Sequence, residues 1–251
     1  WIEKYNGTLC KSLSELAESS EVIFLCVGND DDVKNIINGD DGVINYLKPG
    51  TILIDHTTTS AELPIELNKS LHLKKVSFLD APVSGGQAGA ESGVLSVMVG
   101  GNKESYKNVK EIIGTYSKFI KYMGESGSGQ LTKMVNQICI AGLIQALAEG
   151  INFSDEVGLN TKDVIEVISK GAAQSWQMEN RWETMINDEY DHGFAVDLMR
   201  KDLDIVLKKA EKNNIPIDIT KVVNDYYKDI QKAGGGRLDT SSLLKRIKDL
   251  I

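Results

Sequence analysis

The sequence predicts an α/β domain followed by an all-helical one. Three observations predict it. Short β-rich apolar runs alternate with amphipathic stretches as far as about Gly124. A Gly/Ser stretch, GESGSG (residues 124–129), then interrupts the pattern. Beyond it no strand pattern recurs, and a long apolar helical segment leads a series of shorter ones.

The elements follow in order. EVIFLCV (residues 21–27) is short, continuous and β-rich, as a strand buried on both faces is. DDDVKNIIN has helical spacing and acidic residues in its first turn, where the helix dipole favours them. TILIDHT (51–57) is a second strand, introduced by the Lys-Pro-Gly turn at 48–50. Residues 60–71 are helical. VSFLDAP, LSVMVGG and FIKYMG (119–124) are three more strands, with a helix over 103–116 between the last two. Such repetition argues for a mostly parallel sheet with helices on its faces, and ligands of such sheets bind at the carboxyl ends of the strands. In the second half, residues 130–157 form one long helix. Thr161 caps the next helix and Gly171 stops it; others run over 175–186, 195–212, 220–232 and 241–250. Residues 1–5 read as the interior of a helix, and a chain opening on Trp1 in mid-helix reads as a fragment.

Composition narrows the function. The 251 residues suit two ordinary domains. A net charge of −8 argues against nucleic acid or an anionic membrane as partner. No apolar run approaches the roughly 20 residues of a spanning helix, and no signal-peptide pattern opens the chain. Cys10, Cys26 and Cys139 form no CxxC pair and read as reduced thiols of a cytoplasmic protein. His56, His72 and His192 are scattered, so no metal site is expected.

Two stretches could carry chemistry. In GSGQLTKMVNQ (127–137), Lys133 lies near the start of the long helix, with Asn136 and Gln137 at i+3 and i+4 on its face and apolar neighbours around it. Desolvation lowers a lysine's pKa toward the range useful for proton transfer, and an amide neighbour can hold a substrate. The alternative is a snorkelling lysine with a packed stem and a wet head. In DAPVSGGQAGAESGVLSVMVGG (80–101), Ser84, Gly85 and Gly86 follow a strand end and offer closely spaced N–H groups and one hydroxyl, a cradle for a carboxylate. The alternative is a glycine loop that only reverses the chain. No Gly-Lys-Ser/Thr follows, so it is not a P-loop; no G-x-S-x-G elbow occurs in the stretch, which argues against a serine hydrolase. RKDLDIVLKKA puts Lys201 at a helix start, where a solvated helix face is the alternative. DHTTTS puts Thr57 and Thr58 at a strand end, where N-capping is the alternative.

Together these segments resemble the β-hydroxyacid dehydrogenases, the 3-hydroxyisobutyrate dehydrogenase and tartronate-semialdehyde reductase group, over essentially the whole chain. The resemblance implies a Rossmann-type N-terminal domain (residues 1–124, truncated at its N-terminus) and an all-α C-terminal domain (125–251) for substrate and dimerisation, beginning with a long interdomain helix. GSGQLTK looks like the family's G-x-G-x-x-x-K motif, which implies that Lys133 is the catalytic lysine, with Asn136 beside it and Gln137 also at the substrate. The glycine loop looks like the substrate-binding signature, implying Ser84, Gly85 and Gly86 as ligands. DHTT, RKDL and LCVGNDDDV look like cofactor-lining segments, implying NAD or NADP near Cys26, Val27, Asp31, Thr58 and Lys201. The pairing of Asn136 and Gln137 is similar to the tartronate-semialdehyde reductase side. The family's G-x-G-x-x-G fingerprint does not occur here, implying a βαβ arm of about 30 residues ahead of Trp1; the residue that separates NAD from NADP would lie there too.

The implied function is hydride transfer between NAD(P) and a small 3-hydroxy acid or its semialdehyde. A 6-phosphogluconate-type decarboxylating enzyme would be expected to have His after the lysine, and KMVNQ has none; an imine reductase typically lacks the lysine. A different class, a non-catalytic metabolite-binding module or an inactive fragment, stays open. The apolar length of the long helix predicts a homodimer or homotetramer.

Overall fold

The computed structural model describes residues 2–249. Trp1, Leu250 and Ile251 lie outside the described residues, so the ends of the helices read over 1–5 and 241–250 do too. Residues 2–4 form a turn rather than a helix.

The first strands are β1 (Val22–Leu25), β2 (Ile52–Asp55) and β3 (Ser77–Asp80). They run parallel and end flush, with Leu25 opposite Asp55 and Asp55 opposite Asp80. Between them lie α2 (Asp30–Asn38) and α3 (Glu62–His72), preceded by α1 (Leu13–Ser19), a helix the sequence reading passed over. Asn29 caps α2 by accepting the Asp32 N–H. Val33 and Ile37, one turn apart, then face the sheet, and Leu63, Leu67 and Leu71 do the same on α3. They pack on Ile23, Leu53 and Phe78, each such side chain contributing about 1.5–3 kcal/mol by leaving water. The opposite face packs Ile54, Leu79, Val97 and Val99 against Val109 and Ile113 of α5 (Lys103–Gly114).

The sheet departs from the parallel expectation after β3. Two-residue β4 (Val83–Ser84) follows a bend at Ala81-Pro82, and both β3 and β4 pair antiparallel with β5 (Leu95–Gly101). The reason is connection length. Only α4 (Gly86–Glu91) separates β4 from β5, and a parallel return needs a crossover of about a dozen residues or more. Beyond β5, α5 supplies such a crossover, so β6 (Ser117–Gly124) is parallel to β5.

From α6 (Ser128–Glu156) onward the described residues are helical apart from turns and an isolated bridge: α7 (Thr161–Ile168), α8 (Trp176–Ile186), α9 (Val196–Lys212), α10 (Asp218–Lys232) and α11 (Leu243–Asp249). Ala141, Ile144, Ala148 and Ile151 of α6 pack against Met199 and Leu203 of α9 and Val223 and Tyr227 of α10. By length and composition α6 is apolar enough to cross a membrane, which corrects the expectation that no such segment exists. Gln130, Lys133, Gln137 and Gln145 break any continuous apolar run, so the helix is apolar only on average. The α7 cap is also corrected. Asn160 accepts the Lys162 and Asp163 N–H groups, while Thr161 bonds to Ser154 and Asp155; α7 ends at Ile168, before Gly171. The chain forms two compact units, Trp1–Lys133 and Met134–Ile251.

Candidate active site

In the first unit the site is built on Asp80. This residue ends β3 with no exposed surface. Its Oδ1 accepts the Gly127 N–H at 2.8 Å and its Oδ2 the Gln130 N–H at 3.0 Å, so a strand end caps the start of α6. The approach is so close that glycine is required. A Cβ on Gly129 would lie 2.5 Å from the carbonyl oxygens of Asp80 and Met98, and one on Gly100 would lie 2.6 Å from Asp80 Oδ1. Burial raises the Asp80 carboxyl to about 6 against the lowering effect of the N–H groups it accepts. Asp55 beside it is also raised to about 6, chiefly by burial, while its bond from Thr57 pulls the other way.

Gln130 ties the same helix start to the end of β2. It is fully buried; its Oε1 accepts the Thr59 N–H at 3.1 Å and its Nε2 donates to the Thr57 carbonyl at 2.7 Å. One turn further along, Lys133 is 7% exposed, and its Nζ donates to the Val83 carbonyl at 2.8 Å. Val83 immediately precedes Ser84, Gly85 and Gly86. The structure thus brings Lys133 against the strand that leads into the glycine loop. Ser84 is held there by pairing with Ser96, and Gly85 and Gly86 have φ of 135° and 62°, angles that disfavour other residues.

The cofactor candidates lie at the carboxyl ends of β1 and β2. The Val27 N–H donates to Thr57 Oγ1 at 3.0 Å, joining the two strand ends. Cys26 and Asp31 are exposed and Thr58 is half-buried. Asp30, Asp31 and Asp32 crowd the first turn of α2, a charge that opposes a phosphate at that helix start. The backbone groups and hydroxyls of this edge are of the kind that pair with the carboxamide and ribose hydroxyls of a dinucleotide. Among the described residues it presents no cradle for the pyrophosphate.

Sequence reasoning missed the neighbouring ring cluster. His56 Nδ1 lies 2.6 Å from the Ala81 carbonyl and Nε2 lies 2.8 Å from Tyr116 Oη. Burial holds the imidazole below its usual pKa, so the neutral ring donates from Nδ1 and accepts the tyrosine hydroxyl at Nε2. Phe24 stacks on it at 5.7 Å.

In the helical unit a second group gathers. Asn136 Nδ2 donates to Gln137 Oε1 at 2.8 Å, and Gln137 Nε2 donates to Asp202 Oδ2 at 2.7 Å. Lys201 Nζ lies 3.2 Å from Asp202 Oδ1. Asp202 adjoins Lys201 in RKDL, the one signal that could have found it.

Residues 2–124 match the family described as the NAD binding domain of 6-phosphogluconate dehydrogenase, and residues 127–247 the one described as NAD-binding of NADP-dependent 3-hydroxyisobutyrate dehydrogenase. A 2-(hydroxymethyl)glutarate dehydrogenase of Eubacterium barkeri is 30% identical over 94% of this chain and 79% of its own length. The chain belongs to the β-hydroxyacid dehydrogenase family. As a β-hydroxyacid dehydrogenase it is an NAD(P)-dependent oxidoreductase with a Rossmann-like first domain. Greater similarity occurs with an uncharacterized oxidoreductase of Shewanella frigidimarina, 49% identical over 99% of this chain and 85% of that protein. Among solved structures, a 3-hydroxyisobutyrate dehydrogenase from Salmonella typhimurium aligns with a TM-score of 0.83 at 27% identity, covering 93% of this chain and 82% of that one.

Proposed function

We propose that this β-hydroxyacid dehydrogenase oxidises a small 3-hydroxy acid, or reduces its semialdehyde, with Lys133 as the general acid/base. The observation that carries the reading is Lys133 Nζ donating at 2.8 Å to the carbonyl of Val83, directly before Ser84, Gly85 and Gly86. When bound, the nicotinamide supplies or accepts the hydride. Ser84 and the N–H groups of Gly85 and Gly86 hold the substrate carboxylate. As the neutral amine, Lys133 Nζ takes the hydroxyl proton in oxidation and becomes the ammonium; as the ammonium it gives that proton to the carbonyl oxygen in reduction, and its charge steadies the oxygen as negative charge develops. The Val83 carbonyl, accepting one N–H, keeps the long side chain from wandering. Asn136 completes the substrate contacts. Val27, Thr58, Cys26 and Asp31 lie beside the cofactor, as does Lys201. In this reading residues 1–124 form the dinucleotide-binding domain and also supply the substrate's glycine loop, while 125–251 serve substrate and assembly and add Lys201 at the cofactor.

The reading includes a cytoplasmic homodimer or homotetramer. Val135, Leu143 and Phe153 (66% exposed) leave apolar surface along α6.

The test is absorbance of the reduced nicotinamide, using the full-length protein, NAD or NADP, and a panel of small 3-hydroxy acids and semialdehydes. Turnover that falls about 10²–10⁴-fold in kcat on Lys133→Ala supports the reading. Near-normal kcat in that variant sinks the lysine assignment. Cofactor binding without turnover on any of the panel sinks the substrate class and favours a metabolite-binding module.

A further inference from the structure

Gln137 is 1% exposed and protein engages both ends of its amide. Asp202, 2% exposed, sets which end faces which way. As a carboxylate beside the Lys201 ammonium, it can only accept. Gln137 Nε2 must therefore face Asp202, and Gln137 Oε1 must face away from it. That amide oxygen needs a donor, and Asn136 Nδ2 provides one at 2.8 Å. Each amide has one donor end and one acceptor end, so Asp202 orients Asn136 through one intermediate. Both links are short, and the first is charge-assisted, the stronger class of hydrogen bond. The other oxygen of Asp202 lies 3.2 Å from Lys201 Nζ.

We infer that Asp202 is a positioning residue that fixes the amide orientation of Asn136 through Gln137 and holds the ammonium of Lys201 with its second oxygen. The inference rests on the proposed reading for what Asn136 and Lys201 contact. It deepens that reading in one respect: Gln137 serves as the link rather than as a direct ligand. One buried carboxylate then coordinates a substrate-side amide with a cofactor-side cation, all inside the helical unit.

The test has a readout that needs no turnover. In 1H–15N spectra of the full-length protein, the side-chain amides of Asn136 and Gln137 are assigned from their loss in Asn136→Ala and Gln137→Met. Both amides should shift in Asp202→Asn, and the Gln137 amide should exchange with solvent at least about 10-fold faster once its partner is weakened. An unchanged Asn136 signal in Asp202→Asn overturns the inference. Should that variant fail to fold, Gln137→Met breaks the same link with an apolar chain of similar length, and an unchanged Asn136 signal there overturns it equally. With a substrate in hand, Asp202→Asn should raise KM by about 10- to 100-fold with a smaller change in kcat. The KM increase should largely vanish in an Asn136→Ala background, because the two act in series. Losses that multiply would mean a general structural role and overturn the inference. Absence of wild-type turnover with the amide signature intact would count against the substrate reading and leave the orientation of Asn136 by Asp202 standing.

Discussion

The carboxylate of Asp80 accepts the backbone N–H of Gln130 at 3.0 Å, so the end of one strand caps the helix that carries Lys133 three residues later. The position of the lysine is thereby referred to the sheet. Removing the cap should be felt at both levels. Asp80→Ala leaves the Gly127 and Gln130 N–H groups without their acceptor and should cost about 1–3 kcal/mol in urea unfolding. It should also lower kcat more than it raises KM. Unchanged stability would show that the cap does not contribute.

Asp80 and Asp55 also set a pH dependence. Both have folded values near 6, above the ordinary carboxyl value near 4, so the folded state holds more protons between those limits. Their contribution to stability is fully present below about 4 and is lost as pH rises through 6. Urea midpoints should therefore show a rise from these two groups as pH falls from 7 to 5. Asp80→Asn should flatten that rise. A slope identical to wild type would contradict the assignment to Asp80.

Two glycines test the close approach. A Cβ on Gly129 meets two carbonyl oxygens at 2.5 Å, whereas one on Gly150 meets nothing within 4 Å. Gly129→Ala should destabilise by about 2 kcal/mol or more, as overpacking does. Gly150→Ala, in a helix interior, should leave the fold as stable or gain about 0.5–1 kcal/mol. Thermal unfolding of the pair decides it, and equal losses would refute the argument.

For the ring cluster, Tyr116→Phe removes the hydroxyl that His56 Nε2 accepts and should cost about 1 kcal/mol. Nitrogen shifts of His56 should show the Nδ1–H tautomer and a charge that appears only below the usual histidine range. A protonated ring at pH 7 would reject the deduced hydrogen-bond directions.

Paired substitutions on α6, Val135→Glu with Phe153→Glu, should convert a dimer or tetramer to monomer in light scattering at micromolar concentration. A wild-type monomer would remove the oligomer from the proposed function.

The alternating first half, the helical second half and the places where the first strands end were legible in the sequence; that those ends lie flush was not. Period-2 and period-3.6 patterns report which local structure buries apolar surface. Lys133, Ser84, Gly85 and Gly86 were legible as candidates because glycine runs and a lysine among apolar residues are local signals. The antiparallel turn at β5 was not, because it depends on how far α4 can reach. Nor were the partners of the candidates. Asp80 capping α6, Gln130 bridging to Thr57, His56 meeting Tyr116 and Asp202 orienting Gln137 are contacts between residues 47 to 73 positions apart. A hydrogen bond needs its donor and acceptor within about 3 Å. The sequence by itself determined which elements form and which side chains could do chemistry. Only the tertiary structure decided which polar atoms meet, because that depends on where distant backbones are brought by the packing of cores whose polar residues leave no periodic trace.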